Sequence, residues 1–351
     1  MHTIATLRIE NPYKREDPSY MPDLKPIRVK IIANGKHANA WAQQTPSTSA
    51  SWGNCQFLLN LDEREYDWLV VIDDISKKLK GNPEILPCPQ ENTILVTTEP
   101  ATITRYGRGF ASQFGKVLTS QEEKFLPHPH RVHSHTGNLW FHGKSYDELL
   151  AEPPINKTAS ISTVCSSKKQ ANTMHSLRYS FTQRLKAELP ELDIYGHGVL
   201  YIKNKYEALD AYRFHLAIEN HVAPHHWTEK LADPFLAYCV PIYSGCSNAA
   251  EYFSKEGFVQ IDIEDPESAI ATIKKILATE GEYERRLEAV KESREKVMHE
   301  YNLLYILDQI ISSSKPGSNT KVLAFHGHPD HSGCHGRPLV ELFWPQRCPR
   351  L

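Results

Sequence analysis

The sequence predicts an α/β fold, because apolar runs typical of buried strands alternate with amphipathic and capped helical patterns. In the helical pattern at 173–189, Leu177, Phe181 and Leu185 are spaced to share one face. The length of 351 residues is enough for about two domains with substantial cores. The predicted strands lie at 27–33, 66–74, 91–100, 116–120, 160–169, 214–218, 237–245 and 258–262.

The chain divides into four predicted segments: an N-terminal arm at 1–24, an α/β domain at 25–150, a second at 151–311, and a linker and tail at 312–351. A Ser/Thr-rich stretch, KHANAWAQQTPSTSASWGN, is predicted to form a long loop after the first strand. A charged helical pattern runs from Glu280 to Ser312 and is predicted to form one helix. We expect it to close the second domain and cross back to the first.

The composition is that of a soluble globular protein, with 40% hydrophobic and 23% charged residues. The net charge of −2 gives no bulk basic field, so nucleic acid is not an expected partner. No run reaches the roughly 18 apolar residues that would cross a membrane, and the N-terminus lacks a signal-peptide core. Seven scattered cysteines without a CxxC pair indicate reduced, structural thiols.

The stretch from Phe214 to Gly245, FHLAIENHVAPHHWTEKLADPFLAYCVPIYSG, is the most informative part of the sequence. An apolar strand ends at Glu219 and Asn220, and a helix begins at the N-cap residue Thr228. The N–H groups of a first helical turn favour an anion, and Lys230 adds a positive charge there. Since open α/β sheets bind nucleotides at the carboxyl ends of their strands, this unit predicts a nucleotide site.

The sequence ENHVAPHHWTEK, followed by VPIYSG, resembles the motif of the α-1,3/α-1,4-fucosyltransferases of glycosyltransferase family 10. Two positions depart from that motif: His221 replaces a serine or threonine, and His226 occupies a position where tyrosine is common. The resemblance covers about residues 66–311 and implies the GT-B fold, two facing Rossmann-like domains with a cleft between them. It further implies that the first domain binds a glycan acceptor and the second a nucleotide sugar.

The donor implied by the resemblance is GDP-fucose, transferred with inversion and without a metal or other cofactor. The family places an arginine at the position of Arg178 to bind the diphosphate, and Arg makes forked contacts with phosphate oxygens. A histidine in place of tyrosine is expected to make donor binding pH-dependent near neutrality. The residues implied to bind the donor are Arg178, Glu219, Asn220, His226, Glu229 and Lys230.

Glu99 is the candidate catalytic residue of the first domain. It follows the apolar run ILV and two threonines, so it is expected at the carboxyl edge of a strand. The segment Thr97–Pro100 resembles the Thr-Gly-Glu-Asn segment of bacterial fucosyltransferases, in which the glutamate is the proposed general base. An inverting transfer needs a carboxylate that removes the acceptor proton, and burial at a cleft edge would raise the pKa of Glu99.

Three alternatives remain open from the sequence: a transferase of another nucleotide sugar on the same scaffold, a non-catalytic nucleotide- or carbohydrate-binding module, and a zinc protein. The zinc hypothesis rests on two histidine clusters, of which the irregular spacing of the first favours a solvated loop. The first cluster is His128, His130, His133, His135 and His142; the second is His326, His328, His331, Cys334 and His335.

The expected location follows from the family resemblance and the missing anchor. Animal members carry an N-terminal anchor, so its absence favours either a bacterial cytoplasmic enzyme or a chain from which the anchor has been removed. For the bacterial enzyme, the acceptor implied by the resemblance is a surface polysaccharide with N-acetylglucosamine units, such as lipopolysaccharide. The tail ELFWPQRCPRL is a candidate for peripheral contact with a membrane or partner.

Overall fold

The structure is a computed structural model that describes residues 25–33, 38–74, 82–137, 139–165, 174–196, 198–315 and the backbone of 324–325. The N-terminal arm at 1–24 and most of the C-terminal tail, including the second histidine cluster, lie outside the described residues.

The first sheet has seven strands in the order β2-β3-β1-β4-β6-β7-β8, parallel except for the β2-β3 pair. Its central strands are buried on both faces, which explains why they appear in the sequence as continuous apolar runs. The strands are β1 (Ile27–Ala33), β2 (Ser51–Trp52), β3 (Cys55–Leu58), β4 (Trp68–Ile72), β6 (Thr93–Thr97), β7 (Lys116–Thr119) and β8 (Arg131–His133), with β5 (Glu84–Ile85) outside the sheet in an antiparallel pair with β14 (Ala324–Phe325).

The second sheet has five parallel strands in the order β10-β9-β11-β12-β13. Its centre is the predicted strand that precedes Glu219, paired in register with the Val-Pro-Ile strand from Phe214–Val240 to Ile218–Ser244. The strands are β9 (Ala159–Val164), β10 (Asp193–Tyr195), β11 (Tyr212–Ile218), β12 (Val240–Ser244) and β13 (Val259–Gln260).

Helices connect and cover the strands of both sheets, as parallel β-strands require. The side chain of Asp265 caps the helix at Pro266–Ala278 by accepting a hydrogen bond from the N–H of Ser268. The helices are α1 (Ala38–Gln43), α2 (Arg108–Ala111), α3 (Tyr146–Ala151), α4 (Met174–Glu188), α5 (Glu229–Leu236), α6 (Pro266–Ala278), α7 (Glu282–Met298) and α8 (Leu303–Ser312). Two Rossmann-like sheets that face one cleft make up the GT-B fold, so the fold expectation is confirmed.

The prediction of one helix from Glu280 to Ser312 is wrong, because α7 and α8 are separate. The chain leaves helical geometry at His299, with φ −116° and ψ −81°. A new helix then starts at Asn302, whose side chain accepts a hydrogen bond from the N–H of Leu304 at 2.9 Å. Asparagine is among the best N-cap residues, and this cap marks the break.

The second helix of that pair crosses back to the first sheet, as expected. The Asn302 side chain donates to the carbonyl of Gln44 at 2.8 Å, and the carboxylate of Asp308 accepts from the N–H of Asn54 at 3.1 Å. Among the described residues, no helix is both long and apolar enough to cross a bilayer.

The Ser/Thr-rich stretch is not one long loop. It contains α1, a short 3₁₀ turn at Pro46–Thr48 and the β2 strand, which turns at Gly53 into β3. Gly53 has φ +52°, a conformation that glycine adopts without the usual steric cost. The hairpin is anchored by Trp52, which packs edge-to-face on Tyr146 and Tyr305.

Candidate active site

The carboxyl ends of the two sheets meet at a cleft with a cavity of about 540 Å³. The strands β4 and β6 end there from the first sheet, and β11 ends there from the second. Six of the seven residues predicted from the sequence line this cavity: Glu99, Glu219, Asn220, His226, Glu229 and Lys230. The seventh, Arg178, contacts the lining residue Asn220.

Glu219 organises the donor-side half of the cleft from beneath. Its buried carboxylate accepts hydrogen bonds from the N–H of Thr228 at 2.8 Å and from the Thr228 hydroxyl at 2.7 Å. The Thr228 hydroxyl in turn caps α5 by accepting from the N–H of Lys230. The end of β11 is therefore joined directly to the start of the helix, and the intervening loop closes over this anchor.

Lys230 supplies the positive charge of this half. Its ammonium group lies 2.9 Å from the Glu229 carboxylate and 3.6 Å from that of Glu219. Burial would lower the pKa of Lys230, but the two carboxylates outweigh it and raise the pKa. Burial would likewise raise the pKa of Glu229, but Lys230 and Lys205 hold it at about 2. For Glu219 burial prevails over Lys230, and its pKa is raised.

Arg178 joins the same group from α4. Its guanidinium donates to the side-chain oxygen of Asn220 and, at 3.4 Å, to the carbonyl of Val164. The Arg178 Nε–H is buried and has no hydrogen-bond acceptor among the described residues. A buried donor without an acceptor costs free energy that an incoming anion would recover.

His226 is buried where the two domains touch, with its Nδ1 3.4 Å from the Ser120 hydroxyl. Burial and the neighbouring His221 lower its pKa to about 4. The ring is therefore neutral near pH 7 in this structure, which gives no support to the expected pH dependence of donor binding near neutrality. His221 lies 3.2 Å from the hydroxyl of Thr102, which adds a second contact across the cleft.

Glu99 faces the same cavity from the first domain. Glu99 lies two residues after the last residue of β6, and its side chain is exposed to the cleft. Partial burial raises its pKa, and the nearby carboxylate of Asp73 raises it further, while Lys230 opposes both. The prediction that Glu99 emerges at the carboxyl edge of a strand with a raised pKa agrees with this geometry.

Two cleft residues were missed by the sequence reasoning. Asp73 ends the run YDWLVVIDD and accepts hydrogen bonds from Thr98 and Tyr106. Gln121 donates to the carbonyl of Glu99 at 2.8 Å. The position of Asp73 after an apolar strand was a usable signal, the same one that identified Glu99. The position of Gln121 after β7 gave no comparable signal.

The prediction of a solvated loop holds for only part of the first histidine cluster, because His130 and His133 are exposed but two other members are not. His135 and His142 are buried, and the His135 ring stacks on Trp227 with centroids 4.6 Å apart. His142 lies 2.8 Å from the carboxylate of Asp210. Within the described parts of the chain, no group of three His, Cys, Asp or Glu side chains could hold a metal ion.

The cleft therefore combines two kinds of chemistry. One wall carries the carboxylate of Glu99, whose raised pKa suits a proton acceptor near neutral pH. The other wall carries Lys230 and Arg178 beside the start of a helix, an arrangement that suits a phosphate group.

Comparisons with known proteins match this chain to one family. Residues 155–305 match the model described as "Glycosyltransferase family 10 (fucosyltransferase) C-term". The chain is 36% identical to the α-(1,3)-fucosyltransferase FucT of Helicobacter pylori over 21% of this chain and 16% of that protein. It is 33% identical to the 4-galactosyl-N-acetylglucosaminide 3-α-L-fucosyltransferase FUT6 of Pongo pygmaeus, over 32% of each chain.

The matches thus span less than a third of the length of these two relatives. A crystal structure of an α1,3-fucosyltransferase with GDP-fucose aligns with 87% of this chain and 96% of its own, at 17% identity and a TM-score of 0.49. The family model covers β9 to the start of α8, and so includes the whole second sheet with Arg178 and the Glu219–Lys230 segment. Residues 155–305 are therefore similar to the C-terminal region of the fucosyltransferases of glycosyltransferase family 10.

Proposed function

We propose that this protein is an inverting fucosyltransferase that moves fucose from GDP-fucose to a hydroxyl group of a glycan. The observation that carries the proposal is a single cavity bordered by Glu99 on one side and by Asn220 and Lys230 on the other. The matching family and the relatives are fucosyltransferases, and the chemistry of this cavity is compatible with that reaction.

The donor diphosphate is assigned to the wall formed by α4 and α5. Lys230 and Arg178 would bind and neutralise the departing GDP, while Asn220 holds the Arg178 side chain in place. Glu229 fixes the Lys230 ammonium and would contact the ribose or phosphate. Fixed cations stabilise charge that develops on a leaving group, so we propose that no divalent metal is required.

The transfer itself is assigned to Glu99. An acceptor hydroxyl attacks C1 of fucose from the side opposite the phosphate, so a new C1–O bond forms as the C1–O(phosphate) bond breaks. GDP leaves with the bonding electron pair, and the hydroxyl proton passes to the Glu99 carboxylate. Because attack and departure occur on opposite faces, the configuration at C1 inverts.

The acceptor class is proposed from the relatives. The name of the Pongo pygmaeus relative describes a galactosyl-N-acetylglucosaminide as the fucosylated sugar, which makes N-acetyllactosamine units the first acceptor to test. Exposed Ile103 and Phe141 border the cavity, and such apolar surface suits the faces of sugar rings.

The first experiment is a thermal-shift panel with GDP-fucose, GDP-mannose, and UDP- and CMP-linked sugars, all with EDTA present. A ligand that binds only the folded state raises the melting temperature with its occupancy. We expect shifts with GDP and GDP-fucose that EDTA does not remove. A shift with a UDP- or CMP-linked sugar alone would reject the donor assignment, and loss of the shift in EDTA would reject the metal-free mechanism.

The second experiment measures transfer to N-acetyllactosamine, with GDP release and the anomeric configuration of the product as readouts. The expected product carries α-linked fucose, inverted relative to the β-linked donor. Tight GDP-fucose binding with neither transfer nor slow donor hydrolysis would favour a non-catalytic binding module instead.

A further inference from the structure

The loop that carries Glu99 is tied to the neighbouring strand β4 through Asp73. One oxygen of the Asp73 carboxylate accepts from the Thr98 N–H at 2.7 Å and from the Tyr106 hydroxyl at 2.5 Å. The other accepts from the Thr98 hydroxyl at 2.5 Å. All three donors belong to the segment that surrounds Glu99, so this one carboxylate fixes the loop at two points.

The backbone at Asp73 is held in an uncommon conformation. Its φ is +63°, in the left-handed region that non-glycine residues adopt rarely, with Asp and Asn among the more tolerant. Such conformations persist when the surrounding contacts over-determine them, and they cluster at functional sites. Here the three hydrogen bonds to Thr98 and Tyr106 supply those contacts.

A second brace comes from the opposite side of the loop. Gln121, which follows β7, donates from its side-chain amide to the carbonyl of Glu99 at 2.8 Å and to that of Thr104 at 3.1 Å. Since β6 lies between β4 and β7 in the sheet, the loop after β6 is held by both neighbours. The backbone of Glu99 therefore has a fixed position, while its side chain projects into the cleft.

Asp73 and Glu99 differ in how their oxygens are engaged. Asp73 also lines the cavity, but both of its oxygens already accept hydrogen bonds within the protein, which makes it the less suitable proton acceptor of the two. Among the described residues, no side chain or N–H donates to the Glu99 carboxylate, which leaves it accessible from the cavity. The two carboxylates at this edge of the sheet thus suit different tasks.

We propose that Asp73 is a positioning residue, which aims the Glu99 carboxylate at the acceptor and keeps a second negative charge beside it. The inference rests on the proposed role of Glu99 as general base, and extends it to a residue that acts through the Glu99 loop. If Asp73 only held the loop in place, its hydrogen bonds with Thr98 and Tyr106 would be sufficient. The proposal also requires the negative charge of the Asp73 carboxylate.

The pKa of Glu99 depends on the charged groups around it, so this pKa reports whether the charge of Asp73 matters as well as its hydrogen bonds. Asp73 faces it from the end of β4, and Lys230 and Glu229 face it from α5. The histidines that line the same cavity are His175, His221 and His226. Burial and then Asp73 raise the pKa of Glu99, and Lys230 lowers it, so removing the Asp73 charge lowers the pKa.

The test compares Asp73→Asn with Thr98→Val. Asparagine tolerates the left-handed backbone and keeps the shape of the side chain, but removes the charge. Valine at 98 removes one hydrogen bond and leaves the Asp73 charge in place. The readout is the ¹³C titration of the Glu99 carboxyl carbon in protein labelled at glutamate, assigned by the signal that disappears in Glu99→Gln.

We expect Asp73→Asn to lower the titration midpoint of Glu99 by roughly half a pH unit or more, and Thr98→Val to leave it unchanged. Both variants should reduce kcat of fucosyl transfer at least severalfold while GDP affinity stays at the wild-type value. In Asp73→Asn alone, the acid limb of the rate profile should move to lower pH.

An unchanged Glu99 midpoint in Asp73→Asn would overturn the proposal, and so would an unchanged kcat in Thr98→Val. The two tests are independent, so a failure of one variant to fold leaves the other decisive. If the midpoint falls as expected but the wild-type protein transfers no sugar from any donor, the link between Asp73 and Glu99 holds and the proposed fucosyltransferase function fails.

Discussion

Glu219 accepts both the N–H and the hydroxyl hydrogen bond of Thr228, at 2.8 and 2.7 Å, across the loop that separates β11 from α5. The Glu219 residue is 1% exposed, so water cannot replace these hydrogen bonds if they are lost. It also lies 3.6 Å from the Lys230 ammonium, which places the cation over the strand end. Glu219 therefore acts as the anchor of the donor wall.

Glu219→Gln should destabilise the protein and weaken GDP binding together. The two Thr228 hydrogen bonds reach different oxygens of the carboxylate, and glutamine replaces one of these oxygens with an NH₂ group that cannot accept. The substitution also removes the charge that faces Lys230. We expect a loss of about 1–3 kcal/mol in the free energy of unfolding, measured in urea, and a weaker GDP Kd by calorimetry.

The matched control is Glu284→Gln, on the exposed face of α7. A surface substitution of this kind should change the free energy of unfolding by less than about 0.5 kcal/mol and leave GDP binding unchanged. Equal stability of the two variants would contradict the anchor role of Glu219.

Arg178→Ala should weaken GDP binding by at least about tenfold, because charge-assisted contacts to a diphosphate are among the strongest hydrogen bonds. Arg184→Ala is the matched control on the same helix. Arg184 pairs with Glu267 at 2.9 Å on the exposed side of α4, away from the cleft. Calorimetric titration with GDP measures both. Similar affinities for the two variants would remove Arg178 from the phosphate site.

Glu99→Gln should leave the Kd of GDP-fucose close to the wild-type value and reduce transfer by about 10²–10⁴-fold, the usual contribution of a general base. Since the pKa of Glu99 is raised by burial and by Asp73, wild-type turnover should fall on acidification at a higher pH than an ordinary glutamate would give. Rates from pH 4.5 to 8 measure this limb.

The control for Glu99→Gln is Glu91→Gln. Glu91 is exposed and lies in the turn just before β6, at the end of that strand opposite to Glu99. It should retain wild-type transfer. Near-normal turnover in Glu99→Gln would assign the proton to another group.

The part of the donor wall around Glu219 could be predicted from the sequence because its contacts are local. Glu219, Thr228 and Lys230 lie within twelve residues of each other, and the strand end, N-cap and first helical turn each have a sequence pattern. Asp73 and Glu99 are separated by 26 positions, and only the parallel pairing of β4 with β6 brings them together. Register between strands is a tertiary property, which a single sequence does not specify.

The sequence also did not predict the break between α7 and α8 or the burial of the histidines, because neither has a local sequence signal. No glycine or proline separates Met298 from Leu303, so the helical pattern looks continuous. The stacking of His135 on Trp227 joins residues 92 positions apart in the chain. Burial of a polar ring in this way depends on how the two domains pack.

His135 provides a prediction for the acid limit of stability. Burial, with a smaller contribution from His225, lowers its pKa to about 3, so the folded protein keeps the ring neutral. The unfolded chain binds a proton near pH 6.5. Between pH 6.5 and about 3 the unfolded state therefore holds one more proton at this site, and the free energy of unfolding falls as the pH is lowered, by about 1 kcal/mol per pH unit.

His135→Phe should keep the stack on Trp227 while removing the titration, at the cost of the hydrogen bond from the N–H of Gly137. The variant should be less stable at pH 7.5, yet its free energy of unfolding should depend less steeply on pH below 6.5. Urea unfolding at intervals between pH 4.5 and 7.5 measures how the free energy of unfolding depends on pH in the wild type and in the variant.

The control is the same substitution at His130, whose ring is exposed, and this variant should keep the pH dependence of the wild type. Parallel slopes for His135→Phe and wild type would mean that this buried ring does not limit acid stability, and His215, whose pKa burial also lowers to about 3, would be the next residue to replace.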